Sequence, residues 1–166
     1  MNNQRQEHLA FQQQMPNNHC FGCGTLNEQG LGIKSYWVEG KEGEESVCEF
    51  MPQAHHNAGP EHVLNGGIIS TIIDCHCVCT AFAKAYAMDG RPIGDTQNGD
   101  FLWFATGTLE VRFNRPVAID QPVILRAKII QAKPKKITLE CTLESEGEIC
   151  NEAKLIAVKV PKEFLG

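Results

Sequence analysis

From Ile68 to Ala87 the chain runs about 20 residues without Gly or Pro. Four of its first six residues, Ile68, Ile69, Ile72 and Ile73, are isoleucines, whose β-branching suits strands. Length decides against a strand, since strands run to about 10 residues and a helix of this size spans roughly 30 Å. Between Ile68 and Ala83 the only formally charged side chain is Asp74. A helix apolar nearly all round must be enclosed on most sides. A sheet that curls round it is the simplest enclosure.

The remaining sequence supplies that sheet. Ile33–Val38 and Ser46–Met51 read as two strands joined by a charged, glycine-containing turn at Glu39–Glu45. After the helix, Leu109, Val111 and Phe113 alternate with Glu110, Arg112 and Asn114. Val123, Leu125, Ala127 and Ile129 form a second alternating set, and Ile137, Leu139, Cys141 and Leu143 a third. A fourth run, Ala153–Val160, is partly apolar on both faces, as in a central or subunit-facing strand. Lys133-Pro134-Lys135 and Ser145-Glu146-Gly147 mark turns. The expected fold class is α+β: an antiparallel sheet of about six strands wrapped around one long central helix. Residues 1–16 read as a polar tail or short helix, and residues 17–166 as a single domain.

Composition narrows the partners. With 166 residues, 42% hydrophobic and 21% charged, the chain has ordinary globular usage. Its net charge of -5 argues against nucleic acid, and residues 1–16 are too short for a helix-turn-helix. No run of 18 or more consecutive apolar residues occurs, so no membrane span is expected. Met1–Gln14 is rich in Gln and Asn and lacks the apolar run of a secretory signal, so a cytoplasmic location is expected. In that compartment the eight cysteines read as reduced, with Cys75, Cys77 and Cys79 as packing residues on the helix. His19, Cys20 and Cys23 could supply half a zinc site. Cys75, His76, Cys77 and Cys79 do not all point one way from a helix, so no metal site is expected and no cofactor is implied.

Three motifs occur in order. They are Cys20-Phe21-Gly22-Cys23-Gly24 with Asn27 and Gly30-Leu31, then Asn65-Gly66-Gly67 running to Asp74, then the Thr108–Phe113 strand ending in Asn114-Arg115-Pro116-Val117. Together they resemble hotdog-fold thioesterases of the phenylacetate-pathway (PaaI-like) type, over residues 20–160. The family pattern has His before the double glycine, where this chain has Asn65, which hydrogen-bonds but does not titrate.

Asp74 carries the chemical reading. A carboxylate among apolar residues costs several kcal/mol unless paired, solvated or neutral. Desolvation raises its pKa, which suits a general base. A structural role, capped by hydroxyls or a partner across an interface, is the alternative. Ser70, one turn earlier, could orient it. Gly66 and Gly67 open the helix, where free backbone N–H groups can hold an oxyanion, although glycines there also serve turn and packing. Asp74 lies eight residues beyond Gly66, about 12 Å along the axis, so one helix cannot bring both to one carbonyl. The site must pair the helix start of one subunit with Asp74 of another.

The resemblance implies hydrolysis of an acyl-CoA thioester to acid and CoA by a homodimer or homotetramer. Asp74 would activate water or attack directly, with the Gly66 and Gly67 amides as oxyanion hole across the interface. Thr106, with Thr108 as rival, would position the water, and His56 and Asn57 could contact carbonyl or water. Arg126 and Lys128, with Lys133, Lys135 and Lys136, could bind CoA phosphates, or simply solvate the surface. A non-catalytic hotdog module that binds or senses acyl-CoA is the alternative function. A related lyase such as a hydratase is disfavoured by Asn65. The Met88–Asp100 loop is expected to shape the acyl pocket.

Overall fold

The computed structural model describes residues 9–166. Residues 1–8 of the expected polar segment lie outside the described residues. The strands are β1 (Ser35–Trp37), β2 (Glu45–Phe50), β3 (Phe104–Phe113), β4 (Val123–Lys133), β5 (Lys136–Ser145) and β6 (Glu148–Lys159), and the one long helix is α1 (Gly66–Met88). The strands form one sheet in the order β1-β2-β4-β5-β6-β3, and every neighbouring pair is antiparallel. One long helix packed on a six-stranded antiparallel sheet is the hotdog arrangement.

The helix begins two residues before the apolar run because Asn65 caps it. The Asn65 Oδ1 accepts from Gly67 N at 2.7 Å and from Ile68 N at 3.3 Å, satisfying two donors that have no intrahelical acceptor. Both glycines therefore lie inside the first turn. By length and composition α1 could cross a membrane, yet most of its apolar window is buried in this chain. Ile72, Ile73, Cys77, Phe82 and Tyr86 are fully buried and face the inward residues Leu125, Leu139, Leu143 and Leu155 of the sheet. Each large apolar side chain so enclosed contributes about 1.5–3 kcal/mol. In β6, Ala153, Leu155 and Ala157 are buried while Ile156 and Val158 are half-buried on the other face. That double apolarity matches a strand placed one in from the sheet edge.

Polar groups are also built into this core. A short 3-10 turn, Phe11–Gln14, packs Phe11 against Trp37 and buries Gln12. Gln12 Nε2 donates to Ser35 Oγ at 2.9 Å, and Ser35 Oγ lies 2.8 Å from Nδ1 of the fully buried His76. His76 Nε2 lies 3.2 Å from Ser46 Oγ, which lies 2.6 Å from Thr80 Oγ1. Thr80 in turn donates to the His76 carbonyl at 2.7 Å. The Thr80 proton is thus committed, so Ser46 donates to Thr80 and accepts from His76 Nε2–H. The Nδ1 atom is then the acceptor of the Ser35 hydroxyl. Every proton in the chain is used once only when the imidazole is neutral.

At the far end of α1, Tyr86 OH accepts from Leu102 N at 3.0 Å and donates to the Asp95 carbonyl at 3.3 Å. Arg91 lies over the Tyr86 ring and donates to the Asp95 and Asp100 carbonyls. These contacts fix both sides of the Met88–Asp100 loop.

Candidate functional site

Asp74 projects from α1 toward β3, where Thr106 Oγ1 donates to its Oδ1 at 2.5 Å. Asp74 is half-buried and Thr106 is exposed on its strand. Burial pushes the Asp74 carboxyl above its ordinary range, and the Thr106 hydroxyl, by donating to the charged form, pulls it part of the way back. With Oδ1 engaged by Thr106, Oδ2 is the oxygen left for a water proton. Of the two candidate threonines, Thr106 is the one that meets Asp74. The strand pairing with β6 shifts register between Thr106 and Thr108, at Gly107. Such a bulge re-aims side chains beside it.

Ser70 does not orient Asp74, contrary to expectation. Its hydroxyl donates to the Gly66 carbonyl at 3.0 Å, and Thr71 does the same to Gly67 at 2.9 Å. A hydroxyl one turn on reaches its own helix backbone more readily than a carboxylate four positions away.

At the helix start the two glycines are not equivalent. The Gly67 N–H is already spent on Asn65 Oδ1. This corrects the expectation that both amides face an oxyanion. Gly66 is the first helical residue, and its N–H has no intrahelical acceptor. Gly66 also lines a cleft of about 300 Å³ with Val63, Leu64, Ile69, Phe113 and Arg115. The observed α1 confirms continuous helix between Gly66 and Asp74, hence a separation of about 12 Å along its axis.

The preceding loop is folded onto the helix start. Asn57 bridges Leu64, Ala58 N donates to the Val63 carbonyl, and Asn65 N donates to the His56 carbonyl at 2.9 Å. His56 and Asn57 are thereby held beside the Asn65 cap. The His56 side chain is buried, stacks on Phe50, and accepts from Gln53 N through Nδ1 at 3.0 Å. That bond places its proton on Nε2, and burial lowers its pKa. His56 also lines a larger cleft of about 630 Å³ with Leu31, Gly32, Met51 and His55. The Asn57 amide donates to the Ala58 carbonyl at 2.8 Å.

Arg126 and Lys128 are exposed on β4 and alternate with the buried Leu125 and Ala127, so they face away from α1. Lys128 stands opposite Glu140 on one side and Glu45 on the other. A single chain does not bring these cations to Asp74 or Gly66. Lys133, with Pro134 and Lys159, lies by the C-terminal end of α1.

One grouping departs from the sequence reading altogether. Cys75 and Cys79, four residues apart, share a helix face that meets Cys20 and Cys23. The Cys20 and Cys75 sulfurs are 3.6 Å apart, and those of Cys23 and Cys79 are 3.7 Å apart. As expected, Cys75, His76, Cys77 and Cys79 do not all point one way, but the pairing of Cys75 and Cys79 with Cys20 and Cys23 was not anticipated. Only Cys77 turns elsewhere, toward Cys141 of β5.

No protein-family model matches the chain. Among curated proteins, the acyl-coenzyme A thioesterase THEM4 of Bos taurus is 23% identical over 138 residues, covering 82% of this chain. The chain spans about half, 50%, of that relative's length. Among solved structures, a thioesterase superfamily protein from Shewanella loihica PV-4 is 28% identical with a TM-score of 0.57, covering 78% of this chain and 92% of that one. The PaaI protein of the E. coli phenylacetic acid degradation operon is 12% identical with a TM-score of 0.61, covering 79% of this chain and 81% of its own.

Proposed function

We propose that this chain, which has the hotdog fold of thioesterase superfamily proteins, hydrolyses an acyl-CoA thioester. The observation that carries the reading is the Asp74–Thr106 pair: a half-buried carboxylate with raised pKa, one oxygen held and the other free. In the proposed reaction Asp74 Oδ2 takes a proton from water as the water oxygen attacks the thioester carbonyl. The negative charge passes to the carbonyl oxygen, which accepts from the Gly66 N–H. Collapse breaks the carbon–sulfur bond and releases CoA as a thiolate, which takes up the proton, leaving the free acid.

Because about 12 Å of helix separates Gly66 from Asp74, the proposed reaction takes its two halves from different copies of the chain. The sheet offers a route to that pairing. β3 is a ten-residue edge strand carrying Thr106, and from Thr106 onward most of it is exposed. Long free edges are usually covered. Pairing of β3 with a second copy would place two Asp74–Thr106 pairs at one interface. CoA phosphates then require cations near the interface, and Arg115, which lines the Gly66 cleft, is one candidate.

Asn65 Oδ1 occupies Gly67 and leaves one amide for the oxyanion, which favours a second reading in which the chain binds acyl-CoA without turning it over. A panel of short, long and aryl acyl-CoA substrates, assayed by release of free CoA thiol, separates the two. Turnover on at least one class supports hydrolysis. Tight binding across the panel with no thiol release replaces hydrolysis with binding.

A further inference from the structure

We propose that Cys20, Cys23, Cys75 and Cys79 form a zinc site that ties the segment between Asn18 and Gly32 to α1. The site stands apart from the Asp74–Thr106 chemistry and does not depend on it.

Three of the four sulfurs are placed for one ion, and Cys79 adjoins that trio through Cys23. Four thiolates about 2.3 Å from a tetrahedral zinc lie about 3.8 Å from one another. The Cys20–Cys75 and Cys23–Cys79 sulfur separations, 3.6 and 3.7 Å, match that edge length. The sulfurs of Cys20, Cys23 and Cys75 all lie within 4.8 Å of one another. In an iron–sulfur cluster the cysteines are spread over several irons, and their sulfurs lie further apart than this. An all-sulfur donor set is soft, and a complete tetrahedron of thiolates is the composition of a structural zinc site.

Two sequence-distant pairs build the set. Cys20-Phe21-Gly22-Cys23-Gly24 is a tight turn closed by Gly24 N donating to the Cys20 carbonyl at 2.8 Å. A side chain at Gly22 would collide with the Cys75 sulfur, and one at Gly24 with the backbone of Asn18 and Cys20. Glycine at both positions lets the turn lie flat on the helix. Cys75 and Cys79 follow at i and i+4 on one helix face. Outside the sulfurs, buried Asn18 accepts from Cys20 N at 3.0 Å and donates to the Cys23 sulfur at 3.6 Å. Such a donor orients and stabilises a thiolate ligand. Without metal, the Cys79 thiol donates to the Cys23 sulfur, and Cys20 and Cys75 share a hydrogen bond. Cys20 is exposed and Cys79 is buried, so an ion reaches the site from one side. On binding, the metal replaces the thiol protons, which leave to solvent.

The test uses the full chain purified without chelator and with thiols reduced. Elemental analysis is expected to find close to one zinc per chain. After removal of the metal, titration with cobalt(II) is expected to give the intense visible bands of tetrahedral cobalt and a sulfur-to-cobalt charge-transfer band, saturating at one equivalent. Cys23→Ser and Cys79→Ala are expected to lose the charge-transfer intensity, while Cys150→Ser, remote from the cluster, keeps it. The cobalt titration on the unmodified chain needs no variant to fold. Failure of the reduced chain to take up cobalt, binding without sulfur charge transfer, or equal loss in Cys150→Ser would each overturn the assignment. So would iron with acid-labile sulfide in the purified chain, or a Cys20–Cys75 disulfide in a chain that takes up no metal once reduced.

Discussion

Lowering the pH should unlock the core at His76. The ring is fully enclosed, and each of its nitrogens has one hydroxyl partner whose proton is already assigned. Burial pushes its pKa down to about 4, against about 6.5 in the unfolded chain. Between these values the unfolded chain binds a proton that the folded chain refuses. Stability therefore falls as pH drops through 6.5, and the loss is complete below about pH 4. The gap of about 2.5 units corresponds to about 3 kcal/mol, a large share of a small domain's stability. The assay is urea unfolding from pH 7.5 to 4 of the native chain and of His76→Gln, which keeps polar contacts but cannot titrate. Carboxylates and His56 contribute equally to both curves, so the difference isolates His76. The stability advantage of the native chain should shrink by about 3 kcal/mol across that range. Parallel curves would refute the neutral, protonation-resistant imidazole and the proton assignment built on it.

Three further outcomes follow from the site. Thr106→Val removes the donor to Asp74 and lets desolvation act unopposed, so the acid limb of the kcat/KM–pH profile should move to higher pH, with turnover down about tenfold. Thr106→Ser should restore both. In Gly66→Ala, the added Cβ meets only Phe113, at 3.4 Å, so the melting temperature should hold or rise slightly while turnover falls through crowding at the amide. Asn65→Ala should lower stability by about 1 kcal/mol through loss of the helix cap, read by chemical denaturation.

The architecture was legible because Asp74 is alone in a run too long for a strand, and enclosure of that run dictates a sheet. Strand limits were less legible. β3 starts at Phe104, four residues before the expected Thr108, because pairing with β6 and not alternation sets its length. β1 is only three residues, Ser35–Trp37, against the expected Ile33–Val38. At the proposed site, the separation of Asp74 from Gly66 along the helix could be read from spacing. The Gly67 amide could not be discounted without seeing Asn65 turn back onto the helix. Ser70 was misread because helix periodicity gives its face but not its choice of the nearer carbonyl. The thiol cluster was hidden for a different reason: the 51 residues between Cys23 and Cys75 carry no trace of the tertiary contact that joins them. Cys75 and Cys79 at i and i+4 were the available signal, masked by Cys77 between them.

The central claim is that Asp74 supplies the base for thioester cleavage. Steady-state hydrolysis of the best acyl-CoA substrate by Asp74→Asn, with circular dichroism and oligomeric state matched to the native chain, tests it most directly. The account predicts an intact fold and a fall in kcat of about 10²–10⁴-fold. Undiminished release of CoA by that variant would contradict it.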